Sequence, residues 1–287
     1  MDSNEVRVDL SQVDAVSETL PTVYDRFPRE RWKTLVAFSM LVLAAICNDL
    51  VLSFIHERVP QQPALPDLIF SLTPYIPWGL SVSEYIILAL IALMFTIALV
   101  HRYRWIVLRR IFFIASLLYF GRCITMLVTQ VPVADPNYPC APRLGPNHTI
   151  TDVIWRGLRV ASSLGLNING KIILCGDYIY SGHTVVLAMT CLFIIEYSPR
   201  RWKPLHFLSI LVSLTGAVFL ILSRGHYTVD VVISYYITTR VFWMYHTLIA
   251  HSSLKEVSSS HNHLAKLYWH GIFRFMEGNV HKPLPRK

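Results

Sequence analysis

The sequence predicts an all-α polytopic membrane protein with six transmembrane helices and both termini in the cytosol. Its 287 residues are 53% hydrophobic and only 15% charged, whereas a soluble domain carries roughly 25% charged residues. The apolar residues are concentrated in stretches of about 20 residues, the length of helix that crosses a bilayer. The net charge of +8 lies in loops and tails, which is typical of the cytosolic face of a membrane protein and gives little support to nucleic-acid binding.

Six apolar stretches are the predicted spans, in chain order 34–55, 84–100, 107–128, 182–198, 205–222 and 229–249. Residues 1–33 are then a cytosolic N-terminal tail. Residues 34–249 form a six-span membrane domain that carries the candidate catalytic residues, and 250–287 form a cytosolic C-terminal tail. The chain starts polar, so no cleavable signal peptide is visible. The C-terminal tail mixes charged and apolar residues and is interpreted as lying on the membrane surface.

The distribution of lysine and arginine predicts the orientation. Eighteen of these residues fall in the two tails and in the connections 101–110 and 197–204, and six fall in the segments on the opposite side. Because cytosolic loops are enriched in these residues, both termini are predicted to be cytosolic. The sequon Asn147-His-Thr149 agrees, because it falls in the long loop that this orientation places outside the cell or in a lumen.

Two of the five cysteines, Cys140 and Cys175, flank the sequon in the same loop. An oxidising compartment permits a disulfide between them. The spacing fits free thiols equally well, so the sequence leaves both alternatives open.

Two histidines lie at matching places, since His183 opens the fourth span and His226 opens the sixth. The predicted topology puts both at the luminal face. Asp230 follows His226 by one helical turn, where its carboxylate can fix the tautomer and leave the other ring nitrogen as a nucleophile. His183 is then the general acid and base, near a helix start that Ser181 and Thr184 can cap. His183, His226 and Asp230 are therefore predicted to catalyse transfer of a phosphoryl group between alcohols.

Two further residues are candidates for substrate binding. Arg122 lies in the luminal half of the third span, where an arginine is costly and usually functional. It either clamps phosphate oxygens or pairs with a buried carboxylate such as Glu84. Asp177, six residues before His183, is predicted to hydrogen-bond a catalytic histidine or to attract a headgroup amine. The sequence shows no metal-ligand spacing and no Gly-rich nucleotide loop, so no metal or cofactor is expected.

Two motifs carry a resemblance to a known family. Cys175-Gly-Asp-Tyr-Ile-Tyr-Ser-Gly-His-Thr184 and His226-Tyr-Thr-Val-Asp230 resemble the two catalytic motifs of the sphingomyelin synthase family. Four further stretches are similar, namely His56-Glu-Arg-Val-Pro60, Arg122-Cys-Ile-Thr-Met126, Tyr197-Ser-Pro-Arg-Arg201 and Tyr236-Ile-Thr-Thr-Arg240. The similarity runs from about Trp32 to Pro285 and so covers nearly the whole chain.

The resemblance implies transfer of phosphocholine from phosphatidylcholine to ceramide, which yields sphingomyelin and diacylglycerol. The family's catalytic triad corresponds to His183, His226 and Asp230. Similarity to the wider lipid phosphate phosphatase superfamily implies a phosphohistidine intermediate on His226, without a metal or soluble cofactor. A luminal active site suits the Golgi and the plasma membrane equally, so the enzyme is expected in one or both, and the sequence leaves the choice open. The oligomeric state is left open, a homo-oligomer included.

The sequence departs from the family's pattern beside His226. Members commonly carry His-Asp-His or His-Glu-His there, whereas this chain reads Arg224-Gly-His226, so the choice of headgroup stays open. Transfer of phosphoethanolamine to ceramide is one alternative, although Tyr178 and Tyr180 favour choline. Hydrolysis of a lipid phosphate is a second, and the absence of that group's Lys-Arg-Pro motif argues against it. A non-catalytic lipid sensor is a third, which an intact triad disfavours.

Overall fold

The computed structural model describes residues 27, 29–135, 140–145, 149–161, 174–255, 262–280 and 284. Within these ranges the regular structure is entirely helical, as predicted. The helices are α1 (Arg31–His56), α2 (Leu68–Leu72), α3 (Gly79–Val100), α4 (Arg104–Val128), α5 (Ile150–Ala161), α6 (Gly182–Tyr197), α7 (Lys203–Leu222), α8 (Thr228–Ala250), α9 (Ser252–Lys255) and α10 (His270–Glu277), with a 3₁₀ turn at His263–Lys266. Each of the six predicted stretches is a helix, and the observed ends lie within five residues of the predicted ones.

Among the described residues, four helices are long and apolar enough to cross a membrane, as fits an integral membrane protein. They are α1, α3, α4 and α7, with 26, 22, 25 and 20 residues. The other two predicted spans differ from these. Helix α6 is apolar but has only 16 residues. Helix α8 has 23 residues, but polar side chains such as Ser234, Thr238 and Arg240 lower its hydropathy.

The long helices pack around one apolar core. Helix α1 packs on α4 and α5, α3 packs on α6 and α7, and α6 packs on α8. Phe113, Ile114 and Ile194 are fully buried where these helices meet. On the outer faces, by contrast, Leu35 is 65% exposed and Phe207 is 68% exposed. A helix that is apolar on all sides can be stable with such an outer face when lipid surrounds it.

Polar side chains form a cluster at each end of this bundle. Because successive long helices run in opposite directions, each end combines the starts of some helices with the ends of others. One end, which we call the site end, combines the starts of α3, α6 and α8 with the last turns of α1 and α4. The other end, which we call the latch end, combines the start of α4, the last turns of α6 and α8, and α10. Both polar clusters therefore sit at the ends of the apolar core.

The latch end holds a buried ionic cluster centred on Glu277. Its carboxylate accepts hydrogen bonds from Arg109 and from Arg110, the shortest at 2.8 Å, and from the Tyr245 hydroxyl at 3.1 Å. Arg110 also donates to the Tyr197 hydroxyl at 3.1 Å. Burial raises the pKa of the Glu277 carboxyl, but the two guanidinium groups outweigh that effect and lower the pKa to about 2. The cluster joins α10 to α4, α6 and α8.

The described part of the C-terminal tail packs into the bundle, which the sequence did not predict, and its position at the membrane surface stays a prediction. Trp269, Phe273 and Met276 are buried in the main core, and the ring centroid of Phe273 lies 5.1 Å from that of Tyr245. These three residues follow the i, i+4, i+7 spacing of a helical face. That face ends at Glu277, so the ionic cluster and the apolar contacts support each other.

Cys140 and Cys175 form a disulfide, with their Cα atoms 5.7 Å apart, which decides between the two alternatives that the sequence left open. The His56 ring, at the end of α1, contacts both of the chain segments that this bond joins. Its Nδ1 accepts the Cys175 N–H at 2.9 Å, and its Nε2 lies 3.0 Å from the Ala141 carbonyl oxygen. Asn147 lies outside the described residues.

We expect Glu277→Gln to destabilise the protein by about 3–5 kcal/mol, because two buried guanidinium groups lose their counter-charge. The thermal midpoint in detergent, followed by tryptophan fluorescence, measures this loss. Arg274→Ala is the matched control, since Arg274 is exposed and belongs to the same helix. Because the Glu277 pKa falls from 4.5 to about 2 on folding, this stabilisation is present above pH 4.5 and disappears as the pH falls towards 2. An unchanged midpoint for Glu277→Gln at pH 7 would contradict the prediction.

Candidate active site

His183 and His226 face each other at the site end of the bundle. His226 Nε2 lies 3.4 Å from His183 Nδ1, and the two ring centroids are 5.5 Å apart. The His226 side chain is only 2% exposed, whereas that of His183 is 25% exposed. His226 is therefore enclosed by protein, and His183 borders the side of the site that remains open.

The local sequence places His183 in the first turn of α6. The Ser181 hydroxyl accepts the Thr184 N–H at 3.2 Å and caps this helix, as predicted. Gly182, the first residue of α6, lies against Arg122, and a Cβ atom there would come within 3.0 Å of Arg122 Nη1. Unpaired N–H groups at a helix start favour a bound phosphate, so this turn suits a phosphorylated substrate.

Asp230 lies beside His226, as the helical spacing predicts, and the backbone holds it in place. Its Oδ2 atom is 3.5 Å from His226 Nδ1. The carboxylate also accepts the Ile179 N–H at 2.8 Å and the Tyr227 N–H at 3.0 Å. A carboxylate in this position favours a proton on Nδ1 of the imidazole and leaves Nε2 with a free lone pair. That lone pair is on the side of His183.

Ile179 adopts a backbone conformation that is rare for a β-branched residue. Its φ of 71° lies in the left-handed region, where the Cβ atom of an isoleucine is crowded. The hydrogen bond from its N–H to Asp230 accompanies this conformation. Backbone strain of this kind persists only where surrounding contacts impose it, and it clusters at functional sites. The strained turn thus supports the orientation of Asp230.

Arg122 is held by protein at all three of its guanidinium nitrogens. Nε donates to the Tyr180 carbonyl at 2.9 Å, Nη1 to Asn48 Oδ1 at 2.9 Å, and Nη2 to Asp177 Oδ2 at 2.8 Å. Its carboxylate partner is therefore Asp177, and the pairing with Glu84 that the sequence left open does not occur. These bonds connect α1 and α4 to the segment that leads into α6.

Asp177 lies in the electrostatic field of both histidines. Burial raises the pKa of its carboxyl, but the neighbouring His226, Arg122 and His183 together bring that pKa below its ordinary value. The Asp177 side chain remains 25% exposed. A charged carboxylate is thus present beside the two imidazoles, in a place that a substrate headgroup can reach.

Glu84, which the sequence offered as one possible partner of Arg122, lies instead beside His183. Its Oε1 atom lies 3.8 Å from His183 Nε2, and its side chain is 12% exposed. Each imidazole therefore has a carboxylate on the side away from the other imidazole, Asp230 for His226 and Glu84 for His183. An acidic residue at the start of an apolar span was a signal of function, but a single sequence does not show which spans are neighbours.

Aromatic rings extend from His226 towards the first connection of the chain. The Tyr178 ring meets His226 at a centroid distance of 6.0 Å and meets Tyr227 at 5.5 Å. Tyr227 in turn stacks on Phe70 at 5.8 Å. The Tyr227 hydroxyl accepts the Leu65 N–H at 3.0 Å. These contacts pack the segment before and within α2 beside the histidines.

Arg224 lies at the end of this row of rings, just after α7. Its φ is 54°, in the left-handed region. The Arg224 N–H donates to the Ile221 carbonyl at 2.9 Å, and the Gly225 N–H donates to the Leu220 carbonyl at 3.3 Å. This is the pattern of a Schellman motif, in which glycine usually takes the left-handed position. The turn directs the chain from α7 to His226.

Comparison with known proteins identifies relatives of this chain. A family model described as the PAP2 superfamily C-terminal domain matches residues 174–247, which include both histidines and Asp230. Phosphatidylcholine:ceramide cholinephosphotransferase 1 of Caenorhabditis elegans is 53% identical over 266 residues, and the match covers 92% of this chain and 56% of that protein.

This chain matches a larger share of the length of two mammalian relatives. Phosphatidylcholine:ceramide cholinephosphotransferase 2 of Mus musculus is 45% identical over 264 residues, which cover 91% of this chain and 72% of the mouse protein. The human protein of the same name is 43% identical over 276 residues, with coverages of 95% and 75%. Similarity at this level and over this length shows that the chain belongs to the phosphatidylcholine:ceramide cholinephosphotransferase family.

Proposed function

We propose that this protein transfers phosphocholine from phosphatidylcholine to ceramide and so produces sphingomyelin and diacylglycerol. The observation that carries the proposal is the pair of imidazoles 3.4 Å apart, with carboxylate oxygens 3.5 and 3.8 Å from their outer nitrogens. The pair lies at one end of a bundle of membrane-crossing helices, where lipid substrates arrive. The names of the relatives identify the donor and the acceptor.

His226 is the proposed nucleophile of the first step. With its Nδ1 turned to Asp230, its Nε2 lone pair attacks the phosphorus of phosphatidylcholine. The bond from phosphorus to the diacylglycerol oxygen breaks, and protonated His183 gives its proton to that oxygen. Diacylglycerol leaves, and phosphocholine remains bonded to His226 as a phosphohistidine.

The second step reverses the role of His183. The neutral imidazole accepts the proton of the ceramide primary hydroxyl, and the ceramide oxygen attacks phosphorus. The bond from phosphorus to His226 Nε2 breaks, and sphingomyelin leaves. His183 is then protonated and His226 is neutral, as both were at the start, so the cycle balances without a cofactor.

Three further residues support this chemistry in the proposal. Asp177 is a substrate-binding residue whose charged carboxylate attracts the ammonium of the headgroup. Arg122 assists binding through Asp177, because protein groups already occupy its nitrogens. Glu84 orients His183 and stabilises its protonated form, as a carboxylate does beside an imidazole.

We further propose six spans, with α6 and α8 added to the four apolar helices, and cytosolic termini. The excess of lysine and arginine in the tails and in two connections supports this orientation, as does a disulfide in the loop on the opposite side. The site end is then luminal or extracellular, in the Golgi, the plasma membrane or both. The proposed division into residues 1–33, 34–249 and 250–287 is retained, with the last part docked on the second.

Loss of the nucleophile is expected to abolish product formation. The assay uses cells that lack the activity and are supplied with labelled ceramide. The wild-type chain converts this ceramide to labelled sphingomyelin, and His226→Ala is expected to lower the rate of that conversion by about 10³-fold or more. Mass spectrometry of the product identifies the headgroup. His251→Ala is the control, since His251 is exposed and lies at the opposite end of α8. Phosphoethanolamine in the product, or release of choline phosphate that does not depend on ceramide, contradicts the proposed reaction.

Neutralising Glu84 is expected to impair proton transfer by His183 and not substrate binding. Glu84→Gln keeps the shape of the side chain but removes the charge beside the imidazole, so kcat falls by about 10²-fold while KM changes little. Steady-state kinetics of the purified protein in mixed micelles separate the two constants. Asp152→Asn, which changes an exposed carboxylate in the same luminal region, should have no effect. A wild-type kcat in Glu84→Gln would rule out this role.

The orientation predicts an N-linked glycan on Asn147. The wild-type chain made in animal cells is expected to shift to lower mass after glycosidase treatment, and Asn147→Gln is expected to remove the shift. Electrophoresis of the tagged protein measures both. A cysteine can also be introduced at residue 147 and treated with an alkylating label. Labelling from the cytosolic side only would overturn the orientation.

A further inference from the structure

Arg224 carries a charge that no protein group neutralises in the described part of the chain. Its guanidinium carbon lies 5.6 Å from the ring centroid of Phe70 and 5.3 Å from that of Tyr75. The side chain is partly buried, and across the described residues it makes neither a hydrogen bond nor an ion pair. Stacking on ring faces leaves the edge of a guanidinium, with its N–H donors, free to bind an anion.

The nearby carboxylates are engaged elsewhere. The Asp67 carboxylate accepts hydrogen bonds from the Thr228 N–H at 2.8 Å and from the Thr228 hydroxyl at 2.9 Å. Asp67 also caps α2. Asp135 accepts the Tyr75 hydroxyl at 2.5 Å. Neither carboxylate forms an ion pair with Arg224 in the described residues, so the guanidinium N–H groups are available to a group from outside the protein.

The backbone at Arg224 points to a role for the side chain. The left-handed position of a Schellman motif is the place where glycine is the least strained residue, and this position instead carries an arginine with a φ of 54°. Closing the helix does not require the guanidinium. A strained arginine whose donors have no protein partner is more simply explained by a ligand.

The surroundings indicate which ligand. Leu68 and Leu72 of α2, the helix that provides the Phe70 ring, are 73% and 71% exposed. Apolar side chains this exposed beside the ends of membrane spans contact lipid, and a cation next to them meets the headgroup phosphates of the same leaflet. A row of ring contacts leads from the guanidinium through Phe70, Tyr227 and Tyr178 to His226. The guanidinium therefore adjoins the reaction centre and lies outside it.

We propose that Arg224 forms a phosphate-binding site at the rim of the active site, which holds the headgroup phosphate of a glycerophospholipid before that lipid reaches His226. The guanidinium donates hydrogen bonds to phosphate oxygens, and Phe70 and Tyr75 fix its plane. The inference rests on the proposed function only in taking this glycerophospholipid to be the donor substrate.

The test measures binding without turnover, in full-length protein that carries His226→Ala. Dihexanoyl phosphatidylcholine is titrated into the purified protein in detergent, and tryptophan fluorescence reports the dissociation constant. Arg224→Ala is expected to weaken binding about tenfold, because a charge-assisted bidentate contact is lost, and Arg224→Lys to weaken it less. Arg58→Ala is the matched control, because Arg58 is exposed and stacks on Phe54 at 4.3 Å. It should leave the constant unchanged.

Two further measurements separate binding from a structural role. Dioctanoylglycerol, which has no phosphate, should bind Arg224→Ala and the His226→Ala parent equally. Arg224→Gly should raise the thermal midpoint, since it relieves the left-handed strain, and yet weaken phosphatidylcholine binding. Unchanged phosphatidylcholine affinity in these variants, or equal weakening for both lipids, overturns the proposal. If inorganic phosphate binds as tightly as the phospholipid and depends equally on Arg224, the lipid assignment fails. A failure of the proposed transfer reaction is seen separately, in the product analysis of the wild-type chain.

Discussion

The three hydrogen bonds of Arg122 are the constraint on which the arrangement of the site depends. A guanidinium within a membrane-crossing helix is costly to bury, and it is stable there only when its donors are satisfied. Asn48, Tyr180 and Asp177 satisfy them. Because these partners come from α1 and from the segment before α6, satisfying one buried charge brings both to α4. The segment placed in this way also supplies the Ile179 N–H that holds Asp230.

The two ends of the bundle use buried charge for different purposes. At the latch end, two arginines and Glu277 form a closed network with short contacts, packed among Tyr245, Phe273 and other apolar side chains. At the site end, the interactions between the imidazoles and their carboxylates are longer, from 3.4 to 3.8 Å. Catalytic hydrogen bonds in a substrate-free protein are often long and shorten when the substrate binds. The latch end therefore suits rigidity, and the site end leaves room for groups to move during a reaction.

Some of these features could be predicted from the sequence because they depend on local patterns. Apolar length predicted the helices, and the i to i+4 spacing predicted the contact between His226 and Asp230. Contacts between distant segments could not be predicted in this way. Glu84 was only one possible partner of Arg122, because neither the order of helices around the bundle nor the Asp177 partner is visible in one sequence. The burial of Trp269 and Phe273 was missed for a similar reason, since an amphipathic segment fits a membrane surface as well as a protein groove.

The disulfide restrains the segment of the chain that carries part of the site. Cys175 lies two residues before Asp177 and four before Ile179, and its bond to Cys140 closes a loop with a sequence separation of 35. Closing such a loop removes conformational freedom that the reduced chain retains. A newly made chain with reduced thiols thus contains every residue of the site. The segment that carries Asp177 and Ile179 is, however, less restricted in it. Oxidation of the two thiols therefore completes the restraint on the segment that presents Asp177 and Ile179.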